Sequence, residues 1–247
     1  LGKRSFYLLP NILTTSSLFA GFYSIVQAMN GAYDHAALAI FIALILDGLD
    51  GRVARLTNTQ SSFGAEYDSL SDMVSFGVAP GLIVYVWALQ PLGKLGWIAA
   101  FIYCTCAAFR LARFNVKLDI DNKQFFFGLP SPAAAALIAS FIWISYDNGI
   151  SGNEIFLGFF QMQWFAFLLT IFAALSMVTD LRYYSGKDIN LRNSQPFIAI
   201  LFIVIIFGLV SHNPAEVIFI ILMGYALSGY IIFFRNRYIK NMRKKDA

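Results

Sequence analysis

Residues 36–55 read AALAIFIALILDGLDGRVAR, an apolar run that stops at Asp47 and meets a second acid at Asp50. At 1.5 Å per residue, residues 36–46 cover only about 16 Å, roughly half of a bilayer core ~30 Å thick. A helix that crosses must therefore continue through Asp47, Asp50 and Arg55, which places both acids in one leaflet near headgroup depth. Carboxylates at membrane depth are costly and mark functional sites. Farther along, residues 62–72 (SFGAEYDSLSD) carry two more, Asp68 and Asp72. Asp47 and Asp50 are spaced i, i+3, and Asp68 and Asp72 i, i+4, so each pair lines one face of a helix.

Small residues recur around the acids. Gly48, Gly51 and Ala54 flank the first pair, and Gly64 precedes Asp68 by one turn. A helical glycine costs about 1 kcal/mol relative to alanine; what it gains is close approach by a ligand or another backbone. Arg55, one turn beyond Gly51, is spaced to hold a phosphate. Four hard oxygen donors select Mg²⁺, Mn²⁺ or Ca²⁺. Two such ions ~4 Å apart on shared carboxylates are a recurrent answer to phosphoryl-type displacement. Acids, glycines and an arginine together point to a metal-bound diphosphate. Two other readings of the same acids are an ion network with Arg52 and Arg55, and an ion or proton pathway, although pathways place acids deeper and on more helices.

The composition sets the class. The 247 residues are 58% hydrophobic, 17% aromatic and 13% charged, against about 25% charged in soluble domains. The expected fold is an all-α, polytopic membrane helix bundle. Eight spans are expected at about 8–29, 34–55, 62–89, 95–113, 129–147, 154–180, 195–211 and 215–235. The connections are too short for a separate soluble domain, so residues 1–247 form one membrane domain, with a catalytic core at about 8–180 and additional helices at about 195–235. The first apolar span runs on into the second with no small-residue cleavage site, so no cleavable leader is expected.

With alternating spans, every one of the 18 basic residues except Lys94 falls on one side. The positive-inside rule makes that side cytoplasmic, with both termini and the acid cluster on it. The basic tail, Arg235 to Lys245, is placed to touch anionic lipid headgroups. A net charge of +4 that follows the membrane pattern speaks against a nucleic-acid partner. Cys104 and Cys106 point to different faces of one helix and read as apolar filler. His35 and His212 read as interfacial residues. Ala100, Cys104 and Ala108 form a small-residue stripe that permits close helix contact.

The segment Asp47-x-x-Asp50-Gly51-x-x-Ala54-Arg55, eight further residues, then Gly64-x-x-x-Asp68-x-x-x-Asp72 resembles the signature of the CDP-alcohol phosphotransferase family at every fixed position. Pro10-Asn11-x-x-Thr14, Phe63-Gly64-x-Glu66-x-Asp68-Ser69, Ser75-Phe76-Gly77-Val78-Ala79-Pro80, Phe109-Arg110-x-x-Arg113-Phe114-Asn115 and Gly128-Leu129-Pro130-Ser131-Pro132 are similar to the bacterial phosphatidylserine synthase branch of that family. This likeness covers residues 10–132. It implies transfer of a phosphatidyl group from CDP-diacylglycerol to L-serine with release of CMP, supported by two divalent ions per site, Mg²⁺ or Mn²⁺. By the same resemblance Asp47, Asp50, Asp68 and Asp72 bind metal, and Asp72 is also the general base for the serine hydroxyl. Gly51, Ala54, Arg55 and Gly64 face the CDP moiety, joined by Asn11 and Thr14 from the first span. A homodimer in the bacterial inner membrane is implied as well.

For the acceptor, serine presents a carboxylate and an ammonium group. Arg110 and Arg113, i and i+3 at the cytoplasmic end of the fourth span, are candidates to clamp the carboxylate; the alternative is that they are positive-inside anchors. Ser75, about one turn beyond Asp72, is a candidate hydrogen-bond partner, or a packing serine. An arginine pair also suits glycerol 3-phosphate or inositol phosphate, so charge and spacing leave the acceptor open. A metal or ion transporter and a non-catalytic scaffold remain as readings from other classes.

Overall fold

The computed structural model describes residues 3–57, 59, 61–117, 125–152, 155–156, 160–184, 204, 208 and 212–245. They form seven helices and four short strands: α1 (Lys3–Met29), α2 (Tyr33–Leu56), α3 (a continuous helical rod, Ser62–Leu92), α4 (Lys94–Lys117), β1 (Phe125–Phe127), α5 (Ser131–Asp147), β2 (Ile155–Phe156), β3 (Phe160–Gln161), α6 (Met162–Val178), β4 (Arg182–Tyr184) and α7 (Pro214–Lys245).

Among the described residues, four helices are long and apolar enough to cross a membrane: Leu9–Met29, Ser62–Leu92, Lys94–Val116 and Pro214–Arg235. α2 has the length, 24 residues, but Asp47, Asp50 and Arg52 interrupt its apolar run. α5 and α6 have 17 residues each, about 25 Å at 1.5 Å per residue, short of a full core. The seventh expected span, about 195–211, lies outside the described residues apart from 204 and 208.

The helices sit where small side chains let them approach. α1 ends at Gly31, whose φ of 77° closes a turn in which the Gly31 and Ala32 amides donate back to the Ala28 and Gln27 carbonyls at 3.1 and 3.0 Å, a glycine-terminated helix end. α2 therefore returns alongside α1. Ala36, Ala37, Ile40 and Ala43 of α2 are fully buried, and the Ser17 and Ser24 hydroxyls of α1 donate across to the Ala43 and Ala36 carbonyls. α3 uses the same device on α1: Ser71 donates to the Thr14 carbonyl and Ser75 to the Ser17 carbonyl, each at 3.1 Å. Gly21 of α1 leaves the room that Ser75 fills. α1 is thus the cradle for both acid-bearing helices.

α3 begins at a Ser61 cap, whose hydroxyl accepts from the Gly64 amide at 3.0 Å. It widens into π-helical turns at Met73–Val78 and Tyr85–Leu89. Pro80 lies between them and has no N–H for the Phe76 carbonyl one turn back; the Tyr103 hydroxyl of α4 donates to that carbonyl at 3.1 Å. α5 is the central helix, buried at every position from Ala134 to Ile142. At the acid-bearing end, β1 pairs antiparallel with β4, Phe127 opposite Arg182. This ribbon ties the α4–α5 connection to the segment after α6.

Candidate active site

The four acids meet where the C-terminal end of α2 and the N-terminal half of α3 lie against α1. One carboxylate oxygen each from Asp47, Asp50 and Asp68 falls within 4.8 Å of the others. Asp72, one turn after Asp68, brings its carboxyl within hydrogen-bonding reach of that of Asp47. Two carboxylates so close are held only by a shared proton or a cation. Asp50 is buried, 4% exposed, and the Thr14 hydroxyl donates to its Oδ2 at 2.6 Å. The Pro10 carbonyl lies 3.1 Å from the same hydroxyl, but the hydroxyl has one proton, and the shorter, charge-assisted bond takes it.

Asp68 Oδ1 and Asp72 Oδ1 are buried without a hydrogen-bond partner. A buried anionic oxygen without a donor costs several kcal/mol, on the order of 1–3 or more. These orphaned oxygens, all hard donors from one cluster, fit a divalent cation. The residues that would hold it are Asp47, Asp50, Asp68 and Asp72.

Of the expected CDP-facing residues, Thr14 touches the cluster through Asp50. Gly48 and Gly51 have nothing within 4 Å of where a Cβ would stand, so α2 presents bare backbone to open space beside the acids. Arg55, one turn on from Gly51 on the same face, is exposed, and Ala54 beside it is half-buried. On the α3 side, a Cβ on Gly64 would stand 3.6 Å from Asn11 Oδ1, which brings the Asn11 amide of α1 to the start of α3. Tyr67, unassigned from sequence, shares a hydrogen bond of 2.9 Å with Thr15 and ties α3 to α1.

The three acceptor candidates separate. Arg110 lies within electrostatic range of the Asp72 and Asp47 carboxyls, without an ion pair to either. Its Nη1 donates to Ser131 Oγ at 2.7 Å, and its guanidinium lies 5.6 Å from the Phe114 ring centre. Arg113 does not join it. Nη2 of Arg113 donates to the Phe127 carbonyl at 2.6 Å and lies near the Met177 and Thr179 carbonyls; Nη1 donates to the Val178 carbonyl and to Asp180 Oδ1, both at 3.1 Å. It caps the C-terminal end of α6. Ser75 is fully buried and committed to the Ser17 carbonyl. Ser131, the first residue of α5, is the partner of Arg110 that residue type alone did not single out. Its position in the Gly128-Leu129-Pro130-Ser131-Pro132 turn was the available signal. Gly128 there has a φ of 81°, and a Cβ would run into the Met177 carbonyl and stand 2.7 Å from Arg113 Nη2.

The profile of the CDP-alcohol phosphatidyltransferase family matches residues 7–172, which contain all four acids and Arg110. A Helicobacter pylori (strain J99) protein named CDP-diacylglycerol–serine O-phosphatidyltransferase is 38% identical over 245 residues, covering 96% of this chain and 97% of its own. A Mycobacterium leprae protein of the same name is 30% identical over 88% of this chain and 72% of its own. An archaetidylserine synthase of Methanothermobacter thermautotrophicus is 36% identical over 60% of this chain and 63% of its own. The chain belongs to the CDP-alcohol phosphatidyltransferase family.

Proposed function

We propose that this protein transfers the phosphatidyl group of CDP-diacylglycerol to the hydroxyl of L-serine, giving phosphatidylserine and CMP. The observation that carries the reading is the meeting of four acids, two with unpartnered buried oxygens, beside one guanidinium. The names of the full-length relatives support it. Mg²⁺ or Mn²⁺, bound as a pair by Asp47, Asp50, Asp68 and Asp72, would neutralise the acids and stabilise charge on the attacking and leaving oxygens.

The protein's own groups do the rest. Thr14 fixes the Asp50 carboxylate. Asn11, Gly51, Ala54, Arg55 and Gly64 bound the space for the cytidine diphosphate, with Arg55 on its phosphates. Asp72 takes the proton from the serine hydroxyl as that oxygen attacks the phosphorus bearing diacylglycerol. CMP leaves in line on the far side. No Ser, Cys or His beside the acids has an activating base among the described residues, which favours direct transfer with inversion at phosphorus over a covalent intermediate.

Arg110 binds the acceptor's carboxylate. With Arg113 committed to α6, Arg110 is left within electrostatic range of Asp72. One cation matches a carboxylate better than a phosphomonoester dianion, which favours serine over glycerol 3-phosphate or inositol phosphate. Ser75 we assign to packing.

We place the protein in a bacterial inner membrane as a homodimer, with eight spans, both termini and the acids on the cytoplasmic side, and the basic tail on anionic lipid. The charge asymmetry of the ends supports this orientation. The test is CMP release from CDP-diacylglycerol by purified protein in detergent with L-serine, glycerol 3-phosphate, myo-inositol or inositol phosphate as acceptor. Release with serine is expected; release with a phosphorylated acceptor and not with serine would overturn the reading.

A further inference from the structure

Helix α4 runs antiparallel along α3. A Cβ on Gly81 would stand 3.3 Å from the Ala100 carbonyl and one on Gly77 3.3 Å from the Ala107 side chain, while the Tyr103 hydroxyl bonds the Phe76 carbonyl. The same register carries Asn115, half-buried near the end of α4, to the acid-bearing turn of α3. Its Nδ2 donates to Ser69 Oγ at 2.9 Å, and the Ser69 hydroxyl donates in turn to the Ala65 carbonyl at 3.1 Å. Ser69 stands between Asp68 and Asp72. No donor holds Asp68 Oδ1 or Asp72 Oδ1 in the way that Thr14 holds Asp50, so their direction depends on the turn that carries them. That turn is tied on both sides of the acids. Tyr67 bonds Thr15 at 2.9 Å and Ser71 bonds the Thr14 carbonyl at 3.1 Å, both on α1; Ser69 bonds Asn115 on α4. At about 100° per residue, Ser71 lies about 40° round the helix from Tyr67, Asp68 and Asp72 about 100° and 140°, and Ser69 about 200°. The acids therefore point out between the ties to α1 and the tie to α4.

We propose that Asn115 is a positioning residue for the divalent-cation centre: by holding Ser69 from α4, opposite the ties to α1, it fixes the rotation of the turn that aims Asp68 and Asp72. This rests on the divalent-cation reading above. Groups that orient metal ligands contribute to affinity without touching the ion, because the ligands then need no reordering when it binds.

The test measures Mn²⁺ binding by the purified full chain in detergent, with CDP-diacylglycerol and without acceptor, from the electron paramagnetic resonance of the free ion. Melting temperatures in chelator are measured alongside. Asn115→Leu, similar in size without the amide, should weaken Mn²⁺ binding about tenfold, the lower end of the cost of losing an outer partner of a metal site. Ser69→Ala, a smaller change that removes the other half of the same bond, should weaken it to a similar extent. The double variant should weaken it no further, since the two residues act through one bond. Tyr103→Phe removes an α4-to-α3 bond away from the acids and should lower the melting temperature with Mn²⁺ affinity unchanged. Wild-type affinity in either Asn115→Leu or Ser69→Ala would overturn this inference alone, as would a loss no greater than that in Tyr103→Phe. A wild type that binds no Mn²⁺ would overturn the divalent-cation reading, and this inference with it.

Discussion

Thr14 and Asp50 show how one hydroxyl conditions a cluster of acids. The bond of 2.6 Å holds the most buried of the three grouped carboxylates in one orientation before any cation arrives. Removing an outer partner of a ligand typically costs 10–100-fold in metal affinity. Thr14→Val, nearly the same volume without the hydroxyl, should therefore raise the metal concentration for half-maximal CMP release by about that factor, while Thr14→Ser should restore it. A metal titration of CMP release measures both. The four acids were legible in the sequence because helical periodicity fixes which residues share a face. Their meeting across two helices was legible only through the family signature. The duties of Arg113 and Ser75 were not legible, since both are spent on backbone carbonyls, the Arg113 partners lying up to 67 positions away, and residue type says nothing of where a distant carbonyl will lie.

At the scale of elements, Arg113 and Gly128 form a latch between the end of α4, the start of α5 and the end of α6. A half-buried arginine bonded to several carbonyls cannot be truncated without leaving them unpaired, at about 1–3 kcal/mol for each buried group. Arg113→Ala should accordingly lower the melting temperature by several degrees in detergent while leaving the KM for serine within about twofold. Arg110→Ala should raise that KM by tenfold or more, the scale of a charge-assisted hydrogen bond, with little change in melting temperature. Thermal unfolding and acceptor kinetics on the two variants separate the roles; a serine KM that rises in Arg113→Ala as much as in Arg110→Ala would return Arg113 to the pocket. The third span illustrates what hydropathy reads and what it misses. Its length was foreseeable from hydropathy. The π-helical turns at Met73–Val78 and Tyr85–Leu89 were not, because they depend on how α3 meets α1 and α4. The aromatic run 125–127 pairs with Arg182–Tyr184, a partner strand more than 50 residues on that local sequence does not reveal.

At the scale of the molecule, the helical membrane class followed from composition alone. The count of spans did not follow as directly: charge shortens the apolar run of α2, and α5 and α6 are short because neighbours, rather than lipid, cover much of their surface. Helix α7, which sequence left without a role, packs on α5 and β4. The proposal has one central claim: that the acid cluster holds divalent cations and that Asp72 is also the base. The decisive measurement is CMP release from CDP-diacylglycerol and L-serine by the purified wild type and Asp72→Asn, each with Mg²⁺ or Mn²⁺ and with chelator, at saturating substrates. The account predicts release by the wild type that stops on chelation and returns with added metal. In Asp72→Asn it predicts a fall of about 10²–10⁴-fold or more, as expected for loss of a general base. Release that is indifferent to chelator, or an Asp72→Asn variant that turns over at the wild-type rate, would contradict it.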